Sequence, residues 1–121
     1  MPSFRRHFLA AVAAFALAGA TGAFLRFGAI YGMAGLNYVN VRHAHSHLMY
    51  FGWVTPALMA LIAAHLPRLT GRALSPWFGR VIALTIGLGL LAYVPFLLFG
   101  YSPAAVGGAE LPLSVMAAAL N

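Results

Sequence analysis

The chain has 121 residues, of which 63% are hydrophobic and only 7% are charged, and its formal charge is +6. A soluble domain of this size needs more polar surface, so the composition argues against one and predicts that lipid surrounds most of the chain. The positive charge comes from seven arginines that lie singly or as one pair between apolar runs, so we expect no nucleic-acid partner.

The first predicted helix covers about residues 8–31. Its apolar run is long enough to cross a bilayer, because 18 residues at 1.5 Å each give about 27 Å. Small residues recur every four positions along it: Ala10, Ala14, Ala18 and Gly22. Such a ridge predicts close approach by another helix. A basic start at Arg5 and Arg6 is also typical of a signal peptide, which stays open as the alternative to a retained helix.

The second predicted helix covers about residues 43–66 and the third about residues 79–100. Pro56 lies inside the second helix and should distort it, because the proline ring removes a backbone hydrogen bond. Pro67 is expected to end this helix. A less apolar run over residues 104–120 is too short to cross a membrane, and it resembles the beginning of a fourth helix.

These elements predict an all-α fold, a polytopic transmembrane helical bundle that forms a single region over residues 1–121. Orientation follows from the arginines, since positive residues favour the cytoplasmic side. Five belong to the amino terminus and the second connector: Arg5, Arg6, Arg68, Arg72 and Arg80. Two, Arg26 and Arg42, flank the first connector. We therefore expect a multi-pass protein of the cell (inner) membrane with a cytoplasmic amino terminus.

Three histidines, His43, His45 and His47, alternate at the start of the second helix. On a regular helix His43 and His47 share a face while His45 points almost the opposite way, so the three cannot bind one ion together. The pair His43 and His47 could hold copper or zinc with a third ligand. The absence of cysteine excludes thiolate ligands. For each histidine, a solvated position at the membrane interface is the alternative.

The face of His45 also carries Met49, Gly52 and Pro56. Gly52 removes a side chain where a flat porphyrin would need room, and a neutral imidazole is a common axial ligand of haem iron. Gly52 could equally admit a neighbouring helix. The spacing alone leaves both interpretations open.

These residues resemble the second transmembrane helix of subunit I of the haem-copper oxidases. There, a ligand histidine is followed by methionine at +4, phenylalanine at +6 and proline at +11, which Met49, Phe51 and Pro56 match from His45. The cbb3-type oxidase and nitric oxide reductase branch has an arginine three residues before the histidine, which Arg42 matches. Both comparisons identify His45 as the low-spin haem ligand.

The resemblance covers about residues 8–99, the first three helices of a fold with about twelve. Pro67 is similar to the proline after helix two, and Arg26 is similar to an arginine that contacts the haem edge in some branches. The resemblance implies binding of a low-spin b- or a-type haem for electron transfer, near Arg26, Arg42 and Gly52. The helices that carry the active site come later in the family, so no catalytic residue is expected here.

One ligand does not complete a six-coordinate haem. The second is expected from another copy, a partner subunit or further membrane helices. Two other functions remain open: a copper- or zinc-handling membrane protein that uses His43 and His47 with Met33 or Met49, and a cofactor-free membrane protein that packs against a partner.

Overall fold

The computed structural model describes residues 2–106 and 108–121. The elements follow in this order: α1 Pro2–Tyr31, α2 Tyr38–His47, a π-helical segment Leu48–Val54, α3 Thr55–Thr70, α4 Trp77–Phe99, β1 Ala104–Val106, β2 Ala109–Leu111 and α5 Leu113–Ala119. Within these described residues, three helices are long and apolar enough to cross a membrane: Phe4–Tyr31, Tyr38–Thr70 and Trp77–Phe99. The predicted all-α transmembrane bundle is confirmed, and many large apolar side chains remain on its surface, as contact with a lipid bilayer requires.

The helix Tyr38–Thr70 joins α2, the π-helical segment and α3 into one continuous element. It begins five residues before the predicted start because Asn37 caps it. The Asn37 side-chain oxygen accepts hydrogen bonds from the backbone N–H groups of Val39 at 2.9 Å and Asn40 at 3.3 Å. These bonds satisfy donors that the first helical turn leaves unpaired.

The same helix continues through Pro67, so the prediction that Pro67 ends it is wrong. Pro67 removes one backbone hydrogen bond, but the helix continues past it for three residues to Thr70. The helix ends instead at Gly71, whose φ of 66° lies in the left-handed region and whose N–H donates to the Pro67 carbonyl. This is the usual glycine termination of a helix.

The distortion expected at Pro56 takes the form of the π-helical segment just before it. The backbone N–H of Thr55 donates to the carbonyl of Tyr50, five residues earlier. In a regular α-helix the Pro56 ring would clash with the carbonyl of Gly52. The wider turn gives that carbonyl another position while keeping the helix continuous.

The predicted ridge on α1 does pack against a neighbouring helix. Ala14 and Ala18 are buried in one cluster with Leu48. The ridge is displaced at its start, since Ala10 is exposed and Ala11 is fully buried in its place. Small side chains let the two helix backbones approach closely, as in other membrane bundles.

A hydrogen bond inside the bundle joins α1 to α4. The Tyr93 hydroxyl lies 2.7 Å from Thr21 Oγ1, and Thr21 itself donates to the Leu17 carbonyl at 2.8 Å. Tyr93 is therefore the donor to Thr21. Within a membrane such a bond contributes about 0.6 kcal/mol on average and at most about 1.7 kcal/mol.

We expect Tyr93→Phe to lower the free energy of unfolding by about 1 kcal/mol, because only the hydroxyl is lost. Denaturation in mixed micelles, followed by circular dichroism, measures this change. Tyr50→Phe is the matched control, since Tyr50 is 62% exposed on the continuous helix. Equal effects of the two substitutions would show that the Tyr93 bond does not stabilise the bundle.

The region predicted as a partial helix over residues 104–120 is helical only in its second half. Strands Ala104–Val106 and Ala109–Leu111 pair antiparallel, with Ala104 opposite Leu111, so the helical prediction is wrong for these residues. The prediction at Gly107 lies outside the described residues. Gly108, at a φ of 85°, permits the reversal. Helix α5 then packs back on α4, and the Ser114 hydroxyl donates to the Gly100 carbonyl.

Candidate functional site

His45 lies on α2, and its imidazole faces α1. Its Nδ1 is 2.8 Å from the carbonyl oxygen of Ala18. A carbonyl only accepts, so Nδ1 carries the proton and Nε2 of the neutral ring keeps its lone pair. In the described part of the chain, Nε2 makes no hydrogen bond and is not an enclosed atom. The hydrogen bond to α1 thus orients the His45 ring, and its Nε2 is not fully enclosed.

Gly22 makes this position of the imidazole possible. A Cβ atom at Gly22 would lie 2.9 Å from Cε1 of His45, 3.4 Å from Nδ1 and 3.5 Å from Nε2. Any side chain there would press on the imidazole edge. The sequence indicated a small-residue ridge at this position but not that a histidine would lie on it.

His47 and His43 lie in different surroundings from His45. The His47 ring stacks on Phe96 at a centroid distance of 4.1 Å and an interplanar angle of 17°, with Phe51 at 5.7 Å. His43 meets the edge of Tyr101 at 4.6 Å. Across residues 2–106 and 108–121 there is no group of three histidine, cysteine or acidic side chains that could hold a metal ion.

Gly52 is buried between helices. A Cβ atom there would lie 2.7 Å from Leu48 Cδ1 and 3.1 Å from Ala14 Cβ, and one at Gly89 would lie 3.1 Å from the Gly52 nitrogen. Both α1 and α4 thus pack on Gly52. Of the two interpretations left open, the structure shows close helix approach, and no room for a porphyrin remains at Gly52.

Arg26 and Arg42 are both exposed, Arg26 near the end of α1 and Arg42 on the first turns of α2. The Arg42 carbonyl accepts a hydrogen bond from the Ser46 hydroxyl at 2.9 Å. Exposed guanidinium groups at this end of the bundle can reach an anionic group outside the chain.

Comparison of the chain with family models, with curated proteins and with solved structures found no match.

Proposed function

We propose that the chain binds a low-spin haem of b or a type for electron transfer, with His45 as one axial ligand. The observation that carries the proposal is the hydrogen bond from Nδ1 of His45 to the Ala18 carbonyl. Metal-bound histidines almost always donate their other ring N–H to a carbonyl or carboxylate, which fixes the tautomer and the ring orientation. His45 has this arrangement, with Nε2 left for iron.

The other residues of the proposed site act on the haem periphery. When bound, haem supplies a reversible one-electron centre. Arg26 and Arg42 are proposed to pair with its carboxylate substituents, since arginine keeps its charge when partly desolvated. The second axial ligand comes from another copy, a partner subunit or further helices.

An optical spectrum of the detergent-purified protein tests this function. We expect a Soret band and, after reduction, b- or a-type bands. Bound metal without a Soret band would replace the proposal with the copper or zinc alternative based on His43 and His47. Absence of both haem and metal would leave the cofactor-free protein.

The cofactor-free protein is the second candidate, and the same hydrogen bond favours it. An imidazole that is hydrogen-bonded to a backbone carbonyl of a neighbouring helix also stabilises helix packing within a membrane. The stack of His47 on Phe96 is a packing contact of the same kind. In this function the bundle would bind a partner protein rather than a haem.

We further propose that the amino terminus is cytoplasmic, in the cell (inner) membrane, because five of the seven arginines lie on that side of the bundle. Asn37→Cys should then react with an impermeant maleimide added outside the cell. Reaction of this cysteine from the cytoplasmic side alone would show that the orientation is the opposite of the proposed one. A cysteine at Gly71, in the second connector, is the matched control and should give the opposite pattern.

A further inference from the structure

We propose that an anionic phospholipid binds where α1 and α4 begin, with its phosphate beside Arg80 and His7 and one acyl chain along α4. The proposal concerns the end of the bundle opposite to His45 and is independent of haem binding.

A cavity of about 630 Å³ lies at this end, between the first turns of α1, the end of α3 and the start of α4. Its walls are mainly apolar, as at Phe4 and Ile82, and His7 and Arg80 supply its two basic side chains. The His7 ring lies close to α4, since its Cε1 is 3.4 Å from where a Cβ of Gly79 would be. The cavity thus offers one guanidinium charge and an imidazole that can donate a hydrogen bond, beside an apolar space of ligand size.

A second, apolar groove of about 480 Å³ begins at the same arginine and extends along α4. It is lined by Trp77 and Arg80 at one end and by Leu91 at the other. At 1.5 Å per residue, Trp77 to Leu91 spans about 21 Å, which exceeds the roughly 15 Å of hydrocarbon in one leaflet. Gly87 leaves the middle of the groove open, because no described atom beyond the neighbouring α4 backbone lies within 4 Å of a Cβ placed there. One acyl chain fits this length.

The charges of the chain favour an anionic headgroup over a zwitterionic one. Four further arginines belong to the same end: Arg5, Arg6, Arg68 and Arg72. Glu110, the only acid of the sequence, lies in the hairpin beyond the opposite end of α4. The counter-charge for these arginines must therefore come from outside the chain, and membrane phosphates are the anions available at this depth.

Arg80 and Trp77 occupy positions that are typical of residues at a membrane interface. The Arg80 guanidinium carbon lies 5.7 Å from the centre of the Trp77 ring, and the Trp77 side chain is 58% exposed. Tryptophan is enriched at the headgroup level, and an arginine over its ring stays directed toward that level. Arg80 joins both spaces, so one molecule with a charged head and an apolar chain can occupy them together.

Tryptophan fluorescence provides the test, because Trp53→Phe leaves Trp77 as the single tryptophan. The full chain is placed in vesicles of phosphatidylcholine with a one-fifth share of phosphatidylglycerol, with bromine on the chains of either lipid. Per molecule, brominated phosphatidylglycerol should quench Trp77 about fivefold more effectively than brominated phosphatidylcholine. One arginine near an anionic lipid contributes about 1 kcal/mol, which corresponds to this ratio.

Three variants separate the proposed site from general charge attraction. Arg80→Gln should remove the preference by deleting the headgroup contact, and Gly87→Leu should reduce it by filling the groove. Arg72→Gln removes one positive charge from the exposed linker, and this variant should keep the preference for phosphatidylglycerol. Equal quenching by the two lipids in the Trp53→Phe chain without a further substitution, or equal loss when Arg72→Gln and Arg80→Gln are each added to it, would overturn the proposal. So would loss of the preference on adding inorganic phosphate, which would assign the site to a free anion.

Discussion

If the chain binds haem as proposed, His45→Ala is expected to abolish that binding, whereas His43→Ala and His47→Ala should retain most of it. Of the three histidines, only His45 donates a ring hydrogen bond to a backbone carbonyl, from Nδ1 to Ala18. In the proposed site this bond leaves Nε2 as the iron ligand. The His47 ring instead stacks on the rings of Phe96 and Phe51. The Soret absorbance per protein, measured after purification with added haem, gives the haem content of each variant.

Loss of haem in His45→Ala could also follow from loss of the contact with α1, so chemical rescue is the control. Free imidazole should restore a low-spin spectrum in His45→Ala, since the cavity left by the side chain admits the missing ligand. A low-spin spectrum that persists in His45→Ala without imidazole, together with its loss in the double variant of His43 and His47, would refute the assignment. Copper or zinc binding by those two histidines would then be the leading function.

Gly89→Leu is expected to be the most destabilising single substitution among the glycines of the bundle. A Cβ at Gly89 would lie 3.1 Å from the Gly52 nitrogen and 3.1 Å from the Phe51 carbonyl carbon, both backbone atoms of the π-helical segment. Backbone atoms cannot rotate away as a side chain does, so α4 must separate from the continuous helix. Overpacking of this kind costs about 3 kcal/mol. Denaturation in mixed micelles, followed by circular dichroism, measures the loss.

Gly87→Leu is the matched control, two residues earlier on the same helix. Apart from the adjacent backbone of α4, no atom of the described residues lies within 4 Å of a Cβ at Gly87, so the same glycine-to-leucine change meets open space. It should leave the free energy of unfolding within about 0.5 kcal/mol of the original value. Equal free energies of unfolding for Gly89→Leu and Gly87→Leu would show that α4 does not approach Gly52 closely.

The sequence by itself determined the class of fold and the number of long helices. Both follow from hydropathy, because each helix must satisfy its own backbone hydrogen bonds in lipid and be long enough to cross it. These requirements are local to each segment. The ends of the helices were predicted less accurately. The continuous helix begins earlier than predicted because Asn37 caps it, and it ends at Gly71 rather than at Pro67.

Only the tertiary structure decided which residues meet. The ridge on α1 indicated that something would pack there, but not that the His45 imidazole would lie on Gly22 or that Gly52 would be covered by α1 and α4. Nor could spacing predict the paired strands at residues 104–106 and 109–111, where a helix was predicted. The physical reason is that the space beside a glycine is filled by residues distant in sequence. Hydrophobic periodicity gives the face a helix buries, whereas the partner on that face depends on how all the helices pack together.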